Sequence, residues 1–179
     1  MAGAITKIAT ATPSGVSSFS FTGIAASYDD LMIIGSSKSD TVASAAIAFT
    51  TMSLRFNADT GSNYFWFYNL AVDSSTRGAS AQGPTWNGMY VPTAPGSYSS
   101  NTGWGHWKVV IPGYSDGSGN AAKRVYHLGG YGQGTHGSAM TQGNHGWSST
   151  NAITEIGFYL GWGDFVAGSS ATLYGITNS

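Results

Sequence analysis

The sequence predicts an all-β protein: an antiparallel, jelly-roll-like β-sandwich of about eight or nine strands with long surface loops. Three observations predict it. Short segments alternate apolar and polar side chains with a period of two. Segments rich in Gly, Asn, Asp and Ser separate them. Helical periodicity is almost absent.

From the N-terminus, Phe19 and Phe21 alternate with Ser18, Ser20 and Thr22, the pattern of a strand with one buried face. Leu31-Met32-Ile33-Ile34 is apolar at every position, which suits a central strand covered on both sides. Asp40 to Ala48 is the one candidate helix, with Asp40 as its N-cap. Met52, Leu54 and Phe56 then alternate with Ser53, Arg55 and Asn57. Asn57-Ala-Asp-Thr-Gly-Ser-Asn63 reads as a hairpin loop. In it Asn57 and Asp59 would bond local backbone and Gly61 would supply a positive φ. Tyr64-Phe65-Trp66-Phe67-Tyr68 is again apolar on both faces.

A Gly-, Pro- and Ser-rich stretch, about 72–103, reads as a long surface excursion. Trp107, Val109 and Ile111 mark the next strand, and Asp116-Gly-Ser-Gly-Asn120 a hairpin leading to a strand at Val125 to Leu128. A second excursion is expected at about 129–150. Ile156, Phe158 and Leu160 alternate with Glu155, Gly157 and Tyr159, and Ala171 to Ile176 closes the set. No repeat or linker divides the chain, so residues 1–179 form a single expected domain.

Composition narrows the function. Charged residues are only 8% of the chain and the net charge is −1, which leaves no basic track for a phosphate backbone. Aromatics reach 13%, too many for a disordered chain. With no cysteine there is no disulfide framework, thiolate nucleophile or cysteine-based zinc site. No apolar run spans a bilayer, and the N-terminal segment lacks the basic and apolar regions of a signal peptide. These features predict synthesis in a cytoplasm without export. A surface so poor in charge is expected to be covered by neighbours.

Several motifs imitate chemistry. Gly113-Tyr-Ser115-Asp-Gly117 matches the nucleophile elbow of serine hydrolases, but that elbow needs a strand-to-helix turn, and here a strand follows. Gly132-Gln-Gly134-Thr-His-Gly137 matches a dinucleotide fingerprint without the helix that receives the pyrophosphate. Asp116 and Asn120 lack the later acid of a calcium loop. With eight acids, mostly in turns, a paired-carboxylate glycosidase site is not expected. His127, His136 and His145 are spaced so that only a folded loop, or a symmetric oligomer supplying one His per subunit, could gather them on a metal. The expectation is no enzyme, no cofactor and no metal.

Trp86, Tyr90, Tyr98, Trp104, Tyr131 and Trp147 fall in or beside expected loops. Such side chains either stack on sugars and anchor interfaces or fold back under the loops as satellite clusters. They are the candidate interface or glycan-contact residues.

Three stretches carry a resemblance: Leu54-Arg-Phe-Asn57-Ala-Asp59-Thr-Gly61-Ser-Asn63-Tyr64, Trp147 through Ile156, and Phe165-Val-Ala-Gly168-Ser-Ser-Ala-Thr172-Leu-Tyr174-Gly-Ile176. With the opening Ile5-Thr-Lys-Ile-Ala-Thr10 and Ser18 to Ile24, the set resembles a family of tailed-phage virion proteins. The segment 72–150 is poorly covered by it. The resemblance implies a jelly-roll-like sandwich in a phage virion, most simply a capsid decoration (cement) protein. It would be a homotrimer whose partners are the major capsid protein or other virion proteins, with no nucleic acid and no membrane. The alternative is a tail- or fibre-associated module that binds host glycans. Neither brings catalytic residues.

Overall fold

The computed structural model describes residues 3–41, 49–72, 75–96, 103–117, 122–132 and 138–178, with the side chains of 49, 72–86 and 92–93 also outside the description. The strands are β1 (Ala4–Ala11), β2 (Ser18–Thr22), β3 (Asp30–Ser37), β4 (Phe49–Phe56), β5 (Tyr64–Val72), β6 (Ser75–Trp86), β7 (Met89–Pro95), β8 (Gly105–Pro112), β9 (Lys123–Gly132), β10 (Ser138–Trp147), β11 (Glu155–Leu160) and β12 (Ser170–Thr177). Among the described residues there is no helix; positions 42–48 of the candidate helix lie outside them.

Two antiparallel sheets pack as a β-sandwich. The large sheet runs β1-β12-β3-β8-β9-β10-β5-β6 and the small one β2-β11-β4-β7. A jelly roll divides eight strands by two Greek keys; here the division is eight and four, and β8, β9 and β10 form a meander.

Alternation explains the core. Leu31, Ile33, Val109, Ile111 and Leu173 of the large sheet face Met52, Leu54, Phe56, Ile156 and Phe158 of the small one, and all are buried. Phe158 lies 5.0 Å from Phe19 and 5.1 Å from Trp107, ring centre to ring centre. Gly35 makes the Trp107 position possible, since a Cβ there would sit 2.2 Å from the indole. The indole N–H donates to Ser37 Oγ at 3.1 Å.

Four expectations need correcting. First, Asn57–Asn63 is not a hairpin loop: β4 and β5 belong to different sheets, so the segment crosses between them. The positive φ angles fall on Asn57 (50°) and Ala58 (54°), not on Gly61. Asn57 bonds a distant segment, its Oδ1 accepting from the backbone N–H of Thr154 at 2.8 Å and its Nδ2 donating to the Ala152 carbonyl at 2.9 Å. Second, β3 and β5 are covered on one face only, for Ile34 and Phe67 are exposed. Third, the supposed excursions hold β6 and β7 in one case and the end of β9 with all of β10 in the other. The inward positions of β10 are Ala139, Thr141, Gly143, His145 and Trp147, a mixture that carries no apolar alternation to read. Fourth, the described residues accordingly form twelve strands.

Candidate functional site

The sites expected from sequence are scattered by the fold. Trp147 ends β10 and is buried; its Nε1–H donates to Asp59 Oδ2 at 2.7 Å, and its ring lies 5.5 Å from that of Phe56. Burial raises the Asp59 pKa, but hydrogen bonds from Trp147, Asn63 and Gly61 outweigh this and hold the carboxyl below its ordinary range. Tyr131 is buried on β9. Tyr90 is half-buried, 5.1 Å from Trp66 and 6.3 Å from Tyr68. Trp104 is half-buried against Gly168, where a Cβ would come within 2.9 Å of the indole. The backbone of Trp86 pairs with Tyr64, while its side chain and all of Tyr98 lie outside the described residues. Of the six candidates, Trp147, Tyr131, Tyr90 and Trp104 are packing residues rather than an exposed platform.

The surface feature that does emerge is the outer face of the large sheet. Two registered rows of side chains cross β3, β8, β9, β10 and β5. One runs Ile34, Lys108, Leu128, Gln142, Asn69, and the other Met32, Val110, Tyr126, Asn144, Phe67. Ile34, Phe67, Tyr126, Leu128 and Met140 are each between 46% and 52% exposed. Neither row holds a carboxylate; Lys108 lies in one, and Arg124 beside them rests over the Phe65 ring at 5.6 Å. Monomers rarely expose contiguous apolar patches beyond a few hundred Å2. A shallow groove of about 330 Å3 runs past Phe67, Asn69, Tyr126, Gln142 and Asn144.

Sequence reasoning missed these residues. The signal was available: Leu31–Ile34 and Tyr64–Tyr68 are apolar on both faces, and only one face meets the second sheet. A further exposed aromatic, Trp162, is 65% exposed on a turn fixed by its backbone. Its N–H donates to Thr50 Oγ1 at 3.0 Å, and its carbonyl accepts from Thr41 Oγ1 at 2.8 Å.

Of the three spaced histidines, the fold joins two. His127 and His145 lie on neighbouring strands, and Gly143, opposite His127, leaves room for the rings to meet. A Cβ at Gly143 would stand 2.6 Å from His127 Cε1 and 2.9 Å from His145 Nε2. His127 Nδ1 and His145 Nε2 are 2.6 Å apart, with the ring planes 5° from parallel. Burial lowers the His127 pKa to about 4; burial and the charge of His127 lower His145 to about 3. Both are therefore neutral at pH 7 and share one proton across their contact. His136 lies outside the described residues. Among the described residues no group of three potential metal ligands converges.

Ser115 sits in the β8–β9 hairpin, with Tyr114 before it buried and a strand after it, so the elbow geometry does not arise. Of the Gly132–Gly137 motif only Gly132, the last residue of β9, is described; positions 133–137 lie outside the described residues. No known family model matches this chain, and no curated protein matches it.

Proposed function

We propose that the chain is a structural protein of a tailed-phage virion, a capsid decoration (cement) protein that stabilises the particle through protein–protein contacts. The observation that supports this best is the outer face of the large sheet, with its half-exposed Ile34, Phe67, Tyr126, Leu128 and Met140. Water covers these side chains at a cost of about 25 cal/mol per Å2, which a neighbouring subunit would relieve. A standard interface buries about 800 Å2 per partner, more than these side chains alone supply, so the surrounding polar positions would form its rim. The 8% charge content suits a protein that works covered. A rigid sandwich suits it too, because little conformational entropy is lost on docking. The homotrimer and the jelly-roll kinship belong to the same proposal and rest on the resemblance. Mass spectrometry of purified virions tests it: a stoichiometric band in washed particles is expected, and recovery only from the soluble lysate rejects it.

One observation favours a second reading, a tail- or fibre-associated module that binds host glycans. In the groove of about 330 Å3, the rings of Phe67 and Tyr126 stand beside the amides of Asn69, Gln142 and Asn144. Flat apolar rings with amide donors and acceptors match the faces and hydroxyls of a sugar. Glycan-array binding that Phe67→Ala and Tyr126→Ala abolish would establish this reading in place of the first.

A further inference from the structure

A second, smaller cavity lies between the sheets beneath β7. It measures about 30 Å3 and is lined by Thr51, Tyr68, Leu70, Tyr90, Val91, His127 and Thr141. His127 and Thr141 are more than nine-tenths buried. His127 Nε2 and Thr141 Oγ1 have no hydrogen-bond partner within the protein, and neither has His145 Nδ1. An unpaired buried polar atom costs about 1–3 kcal/mol, so these groups call for an occupant.

We propose that this cavity is a binding site for an internal water molecule, which bridges His127 Nε2 and Thr141 Oγ1 and fixes both histidines as their Nε2–H tautomers. The volume suits water, since a cavity needs only about 10–15 Å3 of such space to hold one. The chemistry suits it as well, because a buried water makes about three hydrogen bonds. His127 and Thr141 supply two, and Tyr68 and Thr51, which also line the cavity, carry hydroxyls of the right chemistry for a third. A larger ligand does not fit, and a metal would find one imidazole nitrogen with neutral hydroxyls, a poor set for transition ions.

The tautomers follow from where the shared proton rests. If it sat on His127 Nδ1, then His145 would carry its own proton on Nδ1, leaving a buried N–H without an acceptor. Orphaned buried N–H groups are rarer in proteins than under-used acceptors. With the proton on His145 Nε2, that N–H donates to His127 Nδ1. His145 Nδ1 is then only an unused acceptor, and His127 Nε2–H donates to the water. The water in turn donates to Thr141 Oγ1. Gly143 is part of the device, for any side chain there would push the rings apart.

Long-range 1H–15N NMR of the full chain at neutral pH reads the tautomers directly, and water-selective cross-relaxation reads the water. The expected result is Nε2–H on both histidines and a cross-peak from bound water to the His127 ring. Thr141→Val should keep the fold and lose that cross-peak. A proton on His127 Nδ1, or no water signal at the wild-type ring, overturns the proposal. So does a stoichiometric shift of both ring signals on adding Zn2+ alone, which would make the pair a metal site.

Discussion

The middle of the sandwich and its margin under β7 solve the same problem in different ways. In the middle, β12, β3 and β8 face β11 and β4, and most inward positions are Leu, Ile, Val, Met or aromatic side chains, with Gly35 beneath Trp107 and Ser37, Thr50 and Ala171 as small exceptions. At the margin, four strands no longer cover eight, and the inward faces of β9 and β10 carry Lys123, His127, Thr141 and His145. These groups are held by specific bonds: Lys123 Nζ donates to the carbonyls of Gly113 and Asp116, and the histidines bond each other. The middle is stabilised by apolar area, which is indifferent to pH. The margin is stabilised by polar pairing, which is not.

Acid should separate the two regions most strongly. The unfolded chain takes up protons on both histidines below pH 6.5, whereas the fold refuses them until about 4 for His127 and about 3 for His145. Stability is thus intact above pH 6.5 and falls as pH drops through that window. The slope is about 1.4 kcal/mol per pH unit for each histidine. Urea titrations at stepped pH measure it, and His127→Gln with His145→Gln should flatten the curve. Phe158→Ala, in the middle, should cost about 3–5 kcal/mol at every pH, through lost burial and the cavity left beside Phe19 and Trp107. A pH-dependent loss there would erase the contrast.

Smaller effects sharpen it. Gly143→Ala should cost about 1–3 kcal/mol. The new Cβ meets the Phe67 carbonyl at 2.6 Å as well as His127, and backbone cannot swing aside. Tyr64→Phe tests the crossing between the regions. The Tyr64 hydroxyl accepts from the Phe56 N–H at 3.0 Å and donates toward the carbonyls of Asp59 and Phe56. Its loss should cost about 1–3 kcal/mol, by leaving a buried N–H unpaired.

The same contrast explains what the sequence disclosed. The strands at Phe19, Met52, Trp107 and Ile156 were legible because two sheets enclose their inward residues, and enclosure demands apolar alternation. β10 was illegible because its inward Thr141, Gly143 and His145 are polar or bare: His145 answers to His127, and Gly143 makes room for the two rings. Tyr131 and Trp147 stand at the C-terminal ends of β9 and β10, and that both face inward could not be read from the sequence. Asn57–Asn63 misled in another way: its turn residues were plain, but which sheet each flanking strand joins is set by partners far along the chain. As for the outer face, apolarity on both sides of β3 and β5 was visible, but not that the second sheet would leave Ile34 and Phe67 exposed.

The central claim is that this outer face is a contact surface, and Leu128 in its middle tests it. Leu128 is 50% exposed, so Leu128→Asp should change stability by less than about 1 kcal/mol. Virions grown with that variant should lose the protein on sedimentation, while wild-type virions retain it. Equal retention of a folded Leu128→Asp chain on the particles would contradict the account.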